Sequence, residues 1–140
     1  MTSPGPCARW RLVYDDSCAV CQVATAAVVL VDRRAVVVPC GLGRPEANEL
    51  VASVPSVARS RSMHLVAPDG RVFSAGAACV QLCRLLPGFG GLGRLGGAAP
   101  DVAERVYAWA LGHRVGLSGW LPTWLGRWAR SVIGMRDGAG

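Results

Sequence analysis

Val13-Tyr14-Asp15-Asp16-Ser17-Cys18-Ala19-Val20-Cys21 is the stretch that decides the fold. Trp10 to Tyr14 is a short β-prone run that stops at the two aspartates. Asp15, Asp16 or Ser17 can cap a helix that begins near Cys18, runs to about Val31 and ends at Asp32-Arg33-Arg34. Cysteines three apart on a helix share a face, with Cβ atoms about 5–6 Å apart. A disulfide needs about 3.5–4.5 Å, so a modest adjustment closes the ring. Cys18 falls at the helix start, where free N–H groups and the helix dipole favour the thiolate, the nucleophile of disulfide exchange. Cys21 lies one turn deeper and is placed to resolve a mixed disulfide. A CxxC that follows a strand and opens a helix is a redox pattern.

Working outward, Ala35 to Val38 reads as a second strand closed by Pro39, and Pro45 to Val54 as an amphipathic helix with proline in its first turn. Met63–Ala67 and Arg71–Ser74, joined by Pro68-Asp69-Gly70, form a β-hairpin. Ala77 to Leu86 is helical and stops at Pro87-Gly88; residues 88–97 are glycine-rich. Asp101 to His113 reads as a helix, and a last one lies between Leu117 and Ile133. The expected organisation is a flexible N-terminus at 1–8, a redox domain at 9–116 and a Trp-rich helical tail at 117–140.

The chain has 140 residues, 51% hydrophobic and 17% charged, which fits one domain with a substantial core and excludes bulk disorder. Its net charge of +6 rests on 15 arginines and no lysine, scattered from Arg9 to Arg136. Arg59-Ser60-Arg61 is the densest cluster, too thin for a nucleic-acid site. No apolar h-region precedes the cysteines, so the expected compartment is the cytoplasm. There a close cysteine pair is catalytic or metal-binding more often than a structural disulfide. The apolar run Cys18–Val31 is shorter than the roughly 20 residues that span a bilayer.

The stretch Val13–Cys21 is similar to the opening motif of the DCC-type thiol-disulfide oxidoreductase family, whose signature is D-x-x-C-x-x-C. Pro68-Asp69-Gly70-Arg71-Val72 with Gly76-Ala77, Leu86-Pro87-Gly88, Val106-Tyr107-Ala108-Trp109, Arg114 and Leu117-Ser118-Gly119 extend the resemblance over about residues 10–121. The resemblance implies a thioredoxin-like α/β fold, a mixed four-stranded sheet flanked by helices, and protein-disulfide reductase activity. It implies Asp15, Cys18 and Cys21 as the site residues. The chain departs from the pattern twice. Asp16 stands where the family has glycine, and Ser62-Met63 stands where thioredoxins carry a cis-proline facing the dithiol.

Charge bears on the direction of exchange. A helix terminus favours a thiolate by about 0.3–1 kcal/mol. A carboxylate about 6 Å away opposes it by roughly 0.7 kcal/mol in water and about 2.8 at an effective dielectric near 20. Asp15 and Asp16 therefore offset the dipole, which suits a reductant better than a strong oxidant. Asp15 is also placed to accept the Cys21 proton during resolution, or simply to cap the turn.

Cys79 and Cys83, four apart on one helix, can form a second redox pair, join Cys18 and Cys21 in a zinc site with His64 or His113 as a substitute ligand, or pack as small apolar residues. Cys40, after Pro39, is either a regulatory thiol or an incidental loop residue, and Cys7 is incidental. Both histidines read as structural. Gly88-Phe89-Gly90-Gly91-Leu92-Gly93 matches G-x-G-x-x-G but follows a helix, which argues against dinucleotide binding. Trp120, Trp124 and Trp128 with Arg127 and Arg130 can lie on a membrane surface, dock on a partner or pack on their own domain. The tail is expected to be dispensable for the redox chemistry. The resulting expectation is dithiol–disulfide exchange on a disulfide-containing protein, recharged by a dithiol donor, without a bound cofactor. A zinc-binding or structural interaction domain built on the same cysteines is the alternative.

Overall fold

The computed structural model describes residues 9–59 and 61–138; the expected flexible start at 1–8, with Cys7, lies outside them. The elements run β1 (Trp10–Tyr14), α1 (Ala19–Val31), β2 (Val37–Gly41), α2 (Pro45–Leu50), α3 (Ser56–Arg59), β3 (His64–Val66), β4 (Val72–Ser74), α4 (Gly76–Leu85), α5 (Gly90–Ala98), α6 (Pro100–Trp120) and α7 (Thr123–Gly138). The four strands make one sheet in the order β2-β1-β3-β4. β1 and β2 are parallel, connected through α1, and the β1–β3 and β3–β4 pairs are antiparallel. This mixed sheet flanked by helices is the expected thioredoxin-like architecture.

Alternation along β1 builds both halves of the core. Leu12 packs with Val37, Leu65, Ala78 and Leu82 on the face covered by α1 and α4. Val13 packs with Cys40, Ala47, Val51 and Val66 on the face covered by α2. The second strand starts two residues later than expected and carries Pro39, paired in register with Leu12, rather than ending before it. β2 is an edge strand, and an edge tolerates a residue without an N–H.

The glycine-rich segment is helical, against its propensity. Glycine costs a helix interior about 1 kcal/mol relative to alanine. Here a Cβ at Gly93 would stand 3.0 Å from the Arg84 backbone nitrogen, so the missing side chain is what lets α5 lie against α4. Packing outweighs propensity at this contact.

The C-terminal segment also departs from expectation. A boundary at 116/117 falls inside α6, and α7 belongs to the core. Ala129, Val132 and Ile133 are buried against Tyr14, Ala26 and Val29. The tryptophans drew attention to the wrong face: Trp120, Trp124 and Trp128 are exposed, while small residues make the contact. An ion pair fixes the far end of α7. Arg136 Nη1 lies 2.8 Å from Oδ2 of the fully buried Asp32. The same guanidinium donates to the carbonyl oxygens of Val29, Asp32 and Val37. Asp32 in turn accepts the Val36 and Val37 N–H groups. One arginine thus satisfies carbonyls at the end of α1 and neutralises the C-cap aspartate whose carboxylate holds the N–H groups leading into β2.

His64, buried on β3, is structural as expected. Its Nε2 lies 3.2 Å from the Arg59 carbonyl oxygen and its Nδ1 2.7 Å from Ser74 Oγ. A carbonyl only accepts, so Nε2 carries the proton and Nδ1 accepts from the serine. Burial pushes its pKa below the ordinary 6.5.

Two outcomes follow from these buried groups. Asp32→Ala leaves Arg136 without its counter-charge, and denaturant titration should read a loss of about 3–5 kcal/mol; a loss under 1 kcal/mol would contradict the role given to the pair. Because His64 is harder to protonate in the folded chain, the unfolded chain takes up the proton first, and stability falls as pH drops below about 6.5. Thermal melts from pH 8 to 5 should therefore show a steeper decline for the parent than for His64→Asn, and equal slopes would count against this assignment.

Candidate active site

The chain reverses between β1 and α1 through a turn made by its own polar residues. Oδ1 of Asp15 accepts from the Ser17 N–H at 3.0 Å and from the Ser17 hydroxyl at 2.6 Å. The Cys18 N–H donates to the Asp15 carbonyl. Gln22, buried on α1, reaches back and donates from Nε2 to the Asp16 carbonyl at 2.6 Å. Asp16 faces the other way: its Oδ2 accepts the Gly43 N–H at 3.1 Å and ties the turn to the loop after β2. A Cβ at Gly41 would lie 2.5 Å from that oxygen, so the carboxylate of Asp16 is accommodated by the absence of a side chain across from it. Asp16 is not among the described residues with positive φ, and aspartate at the family's glycine position carries no left-handed strain.

The helix begins one residue later than expected, at Ala19, and its cap is none of the three expected residues. Cys18 is the N-cap, in an extended conformation, and its Sγ accepts the Cys21 N–H at 3.4 Å. A sulfur takes the place that a serine or aspartate oxygen normally fills. The contact fixes the sulfur at the helix start, with the first-turn amide pointing at it. Both Cys18 and Cys21 are partly buried. The Cys21 carbonyl accepts from the Thr25 hydroxyl at 2.7 Å, which holds the first turn closed.

The site opens on a cavity of about 460 Å³ between α1, α4 and α6, floored by Leu12. Cys21 and Asp15 both line it, as do Ser62 and Met63, the pair at the expected cis-proline position. Met63 does not present a free amide there: its N–H donates to the Tyr107 hydroxyl at 2.8 Å. Glu104, one turn earlier on α6, accepts the Ala77 N–H at the start of α4. These two contacts seat α6 against the site, and no local pattern signals either beyond the resemblance around Tyr107. On the other side of the α1 start, Asp16, Ser17, Ala19 and Gln22 share a polar cleft with Arg127 and Arg130 of α7. Of the three readings the sequence left open for this helix, packing on its own domain is the one the structure shows, and it brings the two arginines to the dithiol end of α1.

The remaining thiols divide. Cys79 and Cys83 line the same cavity as Cys21. The Cys79 thiol is pushed up to about 11, by burial first and then by the neighbouring Cys83 and Glu104. It is a neutral, slow thiol at physiological pH, as apolar packing requires. Cys40 is neither a loop residue nor an accessible one: it is buried in β2 on the opposite face of the sheet. His113 bonds to the Trp109 carbonyl within α6. Among the described residues no three His, Cys, Asp or Glu side chains come together to hold a metal, so the zinc alternative has no ligand set there. Among those residues no helix is long and apolar enough to cross a membrane.

No curated protein and no solved structure matches the chain. The family model of the DCC1-like thiol-disulfide oxidoreductases matches residues 12–120, which span the sheet, the CxxC turn, the cavity and α6. The chain therefore belongs to the DCC1-like thiol-disulfide oxidoreductase family.

Proposed function

We propose that the chain works as a protein-disulfide reductase through Cys18 and Cys21. The observation that carries this reading is the Cys21 N–H aimed at Cys18 Sγ at the head of α1, which orients that sulfur at the open helix start with a second thiol one turn away. In the first step the Cys18 thiolate attacks one sulfur of the substrate disulfide. A Cys18–substrate disulfide forms, and the other substrate sulfur leaves as a thiolate that takes up a proton. In the second step Cys21 loses its proton and attacks Cys18 Sγ. The Cys18–Cys21 disulfide forms, and the second substrate thiol is released. Two electrons pass from the dithiol to the substrate, and an external dithiol donor restores the reduced pair. Asp15 lines the same cavity as Cys21 and is the proton acceptor for the second step.

This order of events is testable. Cys21→Ser, in a background with Cys40, Cys79 and Cys83 changed to Ala, should accumulate a mixed disulfide on Cys18 that reductant releases. Cys18→Ser should form no adduct and lose nearly all turnover, and equal turnover by the parent and Cys18→Ser would end the dithiol reading. Asp15→Asn keeps the oxygen that Ser17 binds but removes the base. Stopped-flow kinetics should show attack nearly unchanged and resolution slowed about 10²-fold or more. Unchanged resolution would return Asp15 to a purely structural turn residue.

A further inference from the structure

The cavity beside Cys21 is larger and drier than exchange between two sulfurs requires. At about 460 Å³ it lies within the roughly 300–1,000 Å³ of sites that enclose small ligands. Val20 and Val28 of α1, Leu82 and Leu86 around the end of α4, Phe89 and Met63 give it apolar walls. Water held there finds few partners, so an apolar group that displaces it gains the transfer free energy of its whole buried surface. Cys79, on the α4 wall, adds no charge to oppose this, since burial keeps it protonated at physiological pH. An anionic side chain, in contrast, would meet no cation among the lining residues and would lose its hydration. The cavity also reaches the reacting end of the molecule, because Cys21 and Asp15 line it, with Cys18 outside the lining one turn before Cys21.

We propose that this cavity seats a bulky apolar side chain of the polypeptide substrate, next to the cysteine whose disulfide is exchanged. The proposal rests on the dithiol reading above and narrows it to a substrate class: proteins whose reactive cysteine has a large aromatic or aliphatic neighbour. Two walls can be filled without disturbing the core. Ala24 of α1 and Ala110 of α6 both line the cavity from exposed positions.

The test uses glutathione mixed disulfides of two peptides that differ only in Phe or Ala beside the cysteine. The parent should reduce the Phe peptide with a kcat/KM about ten- to a hundredfold higher, the range expected for burying one large side chain. Ala24→Trp and Ala110→Trp, on separate elements so that one serves if the other fails to fold, should each bring that ratio below about twofold. The ratio between peptides is the readout. No preference in the parent, or a preference that survives both substitutions, would overturn the proposal. If neither peptide is reduced, the dithiol reading fails, and the cavity is judged by equilibrium binding of the S-methylated peptides. Tenfold tighter binding of the Phe peptide then supports it, and equal binding overturns it.

Discussion

Everything at the working end of this molecule depends on the reversal from Asp15 to Cys18. A strand must stop, turn and start a helix within four residues, and polar groups of the turn hold it. Asp15 binds Ser17, Cys18 binds back to Asp15, and Gln22 closes on Asp16. The Cys21 N–H is satisfied by sulfur. The atom that caps the helix is thus the sulfur proposed as the nucleophile, so one contact serves both the turn and the proposed chemistry. Asp16 extends the constraint to the loop after β2, where glycine leaves room for its carboxylate.

The helices after the sheet complete the site. α6 is seated by Tyr107 on Met63 and Glu104 on Ala77, and it closes one side of the cavity. α7 packs along α1 and is locked by Arg136 on Asp32 at the opposite end from the dithiol. α1 is therefore gripped at both ends: by the cysteine turn at its start and by an arginine among its last carbonyls. A rigid α1 keeps Cys18 and Cys21 in register with each other while the cavity beside them remains open.

Much of this was legible in the residues. The β-prone run from Trp10 to Tyr14, the CxxC at its end and the Pro68-Asp69-Gly70 turn have local causes, and the structure follows them. The departures have non-local ones. Gly93 is helical because α4 lies against it, and Pro39 sits within a strand because that strand is an edge. The partnership of Arg136 with Asp32 spans most of the chain, and no periodicity announces it. The tryptophans at 120, 124 and 128 misdirected the reading of the C-terminus, since large aromatic residues suggest contact while Ala129 makes it. Cys18, Cys21 and Asp15 were singled out by spacing and resemblance, and the structure places them together around the start of α1. The cavity was not legible, because its walls come from three helices and the segments between them.

The central claim is that Cys18 and Cys21 are the pair that exchanges electrons. Equilibration of the full chain across a series of oxidised and reduced dithiothreitol ratios, followed by alkylation and peptide mass mapping, tests it directly. The account predicts that a Cys18–Cys21 disulfide forms in a single two-electron transition while Cys40, Cys79 and Cys83 remain thiols. A transition carried by Cys79 and Cys83 instead, or no disulfide at Cys18–Cys21 under any ratio, would contradict it.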